Sequence, residues 1–216
     1  MHKYMFVSIA GVALIGTGSW LRTTPAVAGG VQPSSAVHEA AGAVGDQPPP
    51  PVFESDGRVR VPTGFRKWVF VGAPLTPNGL NHGEAGFPEY HHVYVEQKNV
   101  DAYLKTGTFP EGTVIVKELT RVLAPALPDG SREEVSGRGY FNGEYNGIDM
   151  TVKDSQRFAK TNGWGFFTFG HHPLPYDKLA AEAPATQCAG CHAANVAKTD
   201  MTWVQFYPLL RDKQGY

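Results

Sequence analysis

The segment Thr113-Val114-Ile115-Val116-Lys117-Glu118-Leu119 is rich in β-branched residues and predicts a β-strand that extends over residues 113–123. Successive side chains of a strand point to opposite faces, so Lys117 shares a face with Ile115 and Leu119, and Glu118 lies on the other. Whichever face is buried takes one charged side chain with it. Lys117 is therefore either an inward-facing amine, or a side chain that reaches solvent from a sheet whose valine face is buried.

Further short apolar segments on both sides of this strand are bounded by Gly, Pro and Asn, and they predict a sheet. The predicted strands are 68–72, 91–96, 148–152 and 164–169, with a glycine-rich hairpin region at 137–143 and a short helix at 100–105. Helical patterns are otherwise confined to the end of the chain, at 176–183, 188–198 and 202–211, and Pro208 is predicted to interrupt the last of them. The predicted fold class is α+β and mainly β: an antiparallel sheet followed by a C-terminal helical segment.

The C-terminal helical segment contains Cys188-Ala189-Gly190-Cys191-His192, which includes the only two cysteines of the chain. CxxCH is the attachment motif of c-type haem, in which two thiols bond to the porphyrin and the histidine ligates the iron. A zinc site needs further ligands, and no second CxxC or HxxxH is present. A thioredoxin-like redox pair needs a βαβ setting, which the sequence does not predict. The motif predicts one haem c held by Cys188 and Cys191, with His192 as the axial iron ligand.

The second axial position of the iron is predicted to be open. Electron-carrier cytochromes are mostly helical, and they place a methionine ligand far downstream of an N-terminal CxxCH. Here the candidate methionines are Met150, which lies well upstream, and Met201, which follows His192 by only nine residues. Met201 would have to fold back to reach the opposite face, so core packing is its plainer role. An open position predicts small-molecule chemistry at the iron.

The N-terminus predicts export. Residues 1–28 combine a basic start, an apolar stretch and the small residues Pro25-Ala26-Val27-Ala28, as in a cleavable secretory signal peptide, and this predicts a periplasmic protein. Residues 29–56, rich in Pro, Ala and Gly, predict a disordered leader, and 57–216 one haem domain. Removal of 1–28 shifts the net charge from −1 to −3. No basic stripe is present, so nucleic acid is not an expected partner.

Several blocks of the sequence, in order, resemble the cytochrome P-460 family. They are Arg66–Asn78, Gly112–Leu119, Val152–Phe158, Lys198–Met201 and Phe206–Pro208, within a match from about Gly57 to Arg211. The resemblance implies a periplasmic, mainly β, usually dimeric protein with one c-type haem. It also implies a covalent bond from Lys117 to the porphyrin edge. The implied activity is oxidation of hydroxylamine to nitrous oxide or nitric oxide-derived products, with electrons passing to a soluble acceptor such as a c-type cytochrome.

The resemblance further implies a carboxylate over the iron, contributed by the loop before the haem motif. Glu182 is the acid of that loop and the candidate base, although alignment on Pro184 puts Ala183 at the same place. The alternative is a protein similar to cytochrome c′-beta, which binds nitric oxide under an apolar cap; Phe166, Phe167 and Phe169 are candidates for such a lining.

The histidines outside the haem motif give weaker signals. His91 and His92 point to opposite faces of one strand, so at most one of them enters the pocket, and His91 is the candidate. His171 and His172 are predicted to be loop residues without a role.

Overall fold

The computed structural model describes residues 50–211. Within that range the fold is mainly β, with nine strands and three α-helices. The strands are β1 (Val59–Arg60), β2 (Val69–Gly72), β3 (Tyr90–Val95), β4 (Val114–Val122), β5 (Arg132–Glu134), β6 (Gly137–Gly139), β7 (Asn142–Lys153), β8 (Trp164–Thr168) and β9 (Leu179–Ala180). The helices are α1 (Gln97–Thr106), α2 (Cys188–Val196) and α3 (Pro208–Arg211). The predicted fold class, with an antiparallel sheet and a C-terminal helix carrying the CxxCH motif, is confirmed.

Five strands form the central antiparallel sheet in the order β2-β3-β4-β7-β8. The strand predicted from residues 113–119 is its centre, β4, and both of its faces are buried. Val116 is fully buried on one face, and Leu119 is fully buried on the other. A strand covered on both faces forces each of its charged residues to find a partner, because an unpaired buried charge is costly.

The two faces of the sheet have separate hydrophobic cores. One core joins Val93 and Ile115 of the sheet to residues of the helices and of the C-terminal segment, among them Tyr103, Ala189 and Leu210. The other core contains the valine face of β4, the alternate residues of β7, and aromatic residues such as Phe158, Phe167 and Phe169. The helical layer therefore lies against the face that Lys117 shares with Ile115.

Glu118 lies on the opposite face and is almost completely buried. Its carboxylate accepts hydrogen bonds from Arg66 Nε at 3.0 Å and Nη2 at 2.5 Å, and from the Tyr176 hydroxyl at 2.9 Å. Burial and the bond to Glu118 raise the pKa of Tyr176 well above its usual range. The buried charge is thus satisfied by three donors.

Glu118→Ala is expected to lower the free energy of unfolding by about 2 kcal/mol, because the Tyr176 hydroxyl and the Arg66 guanidinium lose their acceptor while Arg66 can still reach water. Urea unfolding of the holoprotein measures the effect. Glu118→Gln, which keeps an acceptor oxygen, is expected to lose less. Equal stability of wild type and Glu118→Ala would show that this ion pair contributes nothing.

Three of the predicted helices differ from what the structure shows. The helix predicted at 176–183 is wrong: the segment is extended, with β9 paired to β1 and Glu182 bridged to Phe167, since strand pairing overrides its helical pattern. The helix predicted at 100–105 is longer and ends at Gly107, whose φ of 75° only glycine adopts readily. The helix predicted at 202–211 is divided into a 3-10 turn at 204–206 and α3, which Pro208 starts rather than interrupts.

The N-terminal predictions fall mostly outside the described residues, which begin at 50; these are the signal peptide 1–28 and most of the leader 29–56. Within the described part of the leader, the Phe53 ring packs 6.2 Å from Phe158 and 6.1 Å from Phe167. No helix between residues 50 and 211 is long and apolar enough to cross a membrane.

Candidate haem site

A cavity of about 400 Å³ lies against the central sheet on the side of the helices. Side chains from β3, β4, β7, β8, α2 and the C-terminal segment line it, and most are apolar. Lys117, Cys188, Cys191 and His192 all belong to this lining. The structure therefore brings together the four residues that the sequence predicted to hold a haem, although β4 and α2 are far apart along the chain.

Helix α2 presents the CxxCH motif to the cavity. Cys188 begins the helix, and His192 follows one turn later, so the two side chains lie on neighbouring positions of one helix surface. Both cysteines are free thiols. Burial raises the pKa of Cys188, which is therefore a neutral thiol at pH 7.

His192 is held in one orientation. Its Nδ1 lies 2.6 Å from the carbonyl oxygen of Met201, and because a carbonyl can only accept, Nδ1 carries the proton. Its Nε2 is then unprotonated, and its lone pair accepts a hydrogen bond from the Trp203 indole N–H at 3.3 Å. Burial lowers the pKa of His192, so the ring is neutral. A neutral imidazole whose Nδ1–H binds a backbone carbonyl is the usual arrangement of a metal-ligating histidine.

The side chain of Asp200 stabilises the loop that supplies this carbonyl. Asp200 and Met201 have φ of 54° and 60°, a left-handed backbone that costs about 1–2 kcal/mol at each non-glycine residue. The Asp200 carboxylate accepts bonds from Lys153 Nζ at 2.7 and 2.9 Å, from Trp164 Nε1 at 3.1 Å and from the Phe109 backbone N–H at 2.6 Å. These bonds offset the strain and fix the carbonyl that orients His192.

The Met201 side chain packs in the core, as the sequence predicted. It is 4% exposed, and its sulfur accepts a contact from Asn162 Nδ2 at 3.4 Å. Met201 thus serves His192 through its backbone carbonyl, a role that sequence reasoning missed.

Lys117 faces the cavity, so the first of the two interpretations from the strand pattern is the correct one. Its Nζ lies 2.8 Å from Oδ2 of Asp149 and 5.2 Å from the centre of the Phe87 ring. Asp149 is the direct partner of Lys117 across the β4–β7 ladder. The register of the sheet therefore places a carboxylate beside the amine.

Two histidines accompany this pair at the cavity wall. His171 Nε2 lies 3.7 Å from Asp149 Oδ1, an ion-pair distance rather than a hydrogen bond. Burial alone would raise the pKa of Asp149, but His171 and the charge of Lys117 lower it below its usual range, while Asp149 raises the pKa of His171. Burial and the charge of Lys117 lower the pKa of His91 to about 4, so His91 is neutral at pH 7. Asp149 Oδ1 and His91 Nε2 are buried without a hydrogen-bond partner.

Of the adjacent residues His91 and His92, one enters the cavity, as predicted. His91 lines it, while His92 on the opposite face contacts Thr120 Oγ1 at 3.0 Å and Asn142 Oδ1 at 2.8 Å. His171 does lie in a loop, but the prediction that it has no role missed its pairing with Asp149. The sequence carried no signal for that pairing, since strand register and the return of a loop are tertiary features.

The structure does not bring Glu182 to the cavity. Glu182 is exposed in the extended segment beside β8, and Ala183 packs half-buried against the core; neither lines the cavity. Phe166 and Phe167 do line it, whereas Phe169 is fully buried in the opposite core. Asp149 is the only carboxylate among the cavity-lining residues of the described chain.

The residues present fit a haem. Two thiols and an oriented imidazole share one helix at the cavity wall, the remaining walls are largely aromatic and aliphatic, and the two unpartnered polar atoms of Asp149 and His91 are buried at this wall. This is the donor set and apolar setting that c-type haem requires.

Comparison with known families agrees with this fit. A β-rich domain whose cavity carries CxxCH is a haem-binding domain, and residues 62–204, about two thirds of the chain, match the Cytochrome P460 family. The chain therefore belongs to the cytochrome P460 family, whose members are haem proteins with redox chemistry. No curated protein matches the chain.

Proposed function

We propose that this chain is a periplasmic c-type cytochrome that oxidises hydroxylamine at a single haem. Cys188 and Cys191 would bond covalently to the porphyrin, His192 would ligate the iron, and Lys117 would form a further covalent bond to the porphyrin edge. The observation that supports this proposal most strongly is that these four residues line one cavity. The bound haem would supply a Lewis-acidic iron for the nitrogen of hydroxylamine and a path for its electrons.

The protein residues prepare the site for this chemistry. The bond from His192 Nδ1 to the Met201 carbonyl increases the basicity of the ligating nitrogen. With haem bound, the largely aromatic and aliphatic walls would leave little room for water, and this would strengthen the electrostatic effect of the few polar groups present. The packing of Met201 against Asn162 supports an open second axial position, because its sulfur is engaged elsewhere.

In this proposal, Asp149 accepts the protons that hydroxylamine releases. Oxidation of hydroxylamine releases protons, and an acceptor must lie within hydrogen-bond reach of the substrate. Glu182, the residue that the sequence suggested, is exposed and outside the cavity, whereas Asp149 lines it.

Glu182→Gln is accordingly expected to change kcat for hydroxylamine by less than about twofold, because the side chain does not reach the cavity. Steady-state turnover of the purified holoprotein measures this. A loss of about tenfold or more with unchanged ligand affinity would return the role of base to Glu182 and require the segment 181–187 to move inward.

The proposal extends to the setting of the protein. A signal peptide at 1–28 would direct the chain to the periplasm, a soluble c-type cytochrome would accept the electrons, and the chain would form a homodimer.

A second candidate function is nitric oxide binding without efficient turnover, as in cytochrome c′-beta. It is favoured by the absence of Glu182 from the cavity and by the contribution of Phe87 and Phe166 to its lining. Anaerobic incubation with hydroxylamine and a soluble one-electron acceptor separates the two functions. Our proposal predicts catalytic reduction of the acceptor; formation of a nitrosyl complex with nitric oxide but no reduction of the acceptor would support the gas-binding alternative.

A further inference from the structure

The ion pair between Lys117 and Asp149 poses a chemical problem for the proposed crosslink. Nζ lies 2.8 Å from the Asp149 carboxylate. An ammonium beside a carboxylate has no free lone pair, so it cannot attack a porphyrin carbon. Before any bond forms, the amine has to give up a proton to a group within reach.

Asp149 is placed to receive that proton. It faces Lys117 across the adjacent strands β4 and β7, so both side chains are held by the sheet rather than by a loop. Its second oxygen, Oδ1, is buried without a hydrogen-bond partner and lies 3.7 Å from His171 Nε2. The His171 side chain is about half exposed, at 48%, so it connects the buried carboxylate to solvent.

We propose that Asp149 is the base that deprotonates Lys117 during crosslinking to haem, and that His171 passes the proton to solvent. The proposal rests on the crosslink in the proposed function but concerns maturation rather than turnover. The ammonium of Lys117 first loses one proton, which passes through Asp149 and His171 to solvent. The N–C bond then forms while one N–H bond of the neutral amine and the porphyrin-edge C–H bond break. The two protons and two electrons released by these two bonds convert one molecule of hydrogen peroxide, an oxidant of the peroxide class, into two molecules of water.

The same geometry explains how the carboxylate becomes available afterwards. While Lys117 is an ammonium, it neutralises Asp149. Once its nitrogen is bonded to the aromatic ring, its lone pair is delocalised and the cation is lost. Of the ion-pair partners that Asp149 has in the described chain, only the partly exposed His171 then remains, and the affinity of the carboxylate for protons increases. Crosslinking would thus convert Asp149 from the partner of Lys117 into a proton acceptor for the cavity.

The test is the yield and rate of the crosslink, not turnover. Wild type and Asp149→Asn are purified anaerobically with c-type haem attached, before the crosslink has formed, and are then treated with hydrogen peroxide. Protease digestion and mass spectrometry show whether the haem peptide of Cys188 and Cys191 is joined to the peptide of Lys117. Asp149→Asn keeps the shape and an acceptor oxygen but removes the base, so crosslinking is expected to slow by about a hundredfold or more.

Asp177→Asn is the matched control. The Asp177 carboxylate also lies 3.7 Å from a histidine, His172, but it is exposed and outside the cavity. This variant is expected to crosslink at the wild-type rate. A slowed reaction there would show that loss of any nearby carboxylate suffices, and would overturn the assignment to Asp149.

A second variant separates the base from a structural role. Asp149→Ala is expected to crosslink as slowly as Asp149→Asn. Formate in solution is expected to restore the rate of Asp149→Ala, because a small carboxylate can enter the space left in the cavity. Chloride at equal concentration is not expected to restore it. Crosslinking of both variants at the wild-type rate, or failure of formate to accelerate Asp149→Ala, overturns the proposal. A wild type that forms no crosslink overturns the Lys117 assignment itself, and this inference with it, whereas a crosslinked wild type with unaffected variants overturns only the role of Asp149.

Discussion

Lys117→Ala is expected to yield a red protein with covalently bound haem whose absorption spectrum is that of an ordinary c-type haem. Attachment through Cys188 and Cys191 does not depend on Lys117, whereas the altered spectrum of a lysine-crosslinked haem does. Hydroxylamine turnover is expected to fall by at least about tenfold, because ring geometry and electronics are among the protein's means of tuning the iron.

Lys117→Arg is the matched control for the charge. A guanidinium can keep the ion pair with Asp149, but it stays protonated in proteins and offers no nucleophilic lone pair. Its spectrum is therefore expected to equal that of Lys117→Ala. Spectra of both variants that match the wild type would remove Lys117 from the haem site.

The second large effect is expected from loss of both thiols. A Cys188→Ser, Cys191→Ser protein that also carries Lys117→Ala has no remaining covalent link to the porphyrin, and all of its haem should be extractable by acidified organic solvent. The measurement is haem content per protein before and after extraction. The Lys117→Ala protein with both thiols intact is the control and should retain its haem fully. Haem that stays covalently bound to the triple variant would contradict the assigned attachment.

Local patterns in the sequence predicted the parts of this site that are encoded locally. The alternation in 113–119 identified the central strand and limited Lys117 to two orientations, and CxxCH identified the haem-attaching helix. The choice between those orientations required tertiary information, since both faces of β4 turned out to be buried. The sequence could not decide which face the helical layer covers.

The sequence predictions that failed also depend on tertiary features that local patterns do not encode. The composition of segment 176–183 favours a helix, but part of the segment forms β9, which pairs with β1. No local pattern in the sequence predicts this pairing. Asp149 and His171 were missed because one depends on the register of β4 against β7 and the other on the path of the loop after β8. Glu182 is the acid of the loop in which the family resemblance implies a carboxylate, yet the extended segment that carries it leaves it in solvent.

The most direct test of the account is the absorption spectrum of the purified ferrous protein, produced in a host that matures c-type cytochromes, combined with its intact mass. The account predicts one haem per chain that survives denaturation, with a spectrum unlike that of ordinary c-type haem and a vacant axial position that binds added ligand. A colourless protein of unmodified mass, or the spectrum of a haem with two protein ligands at rest, would contradict it.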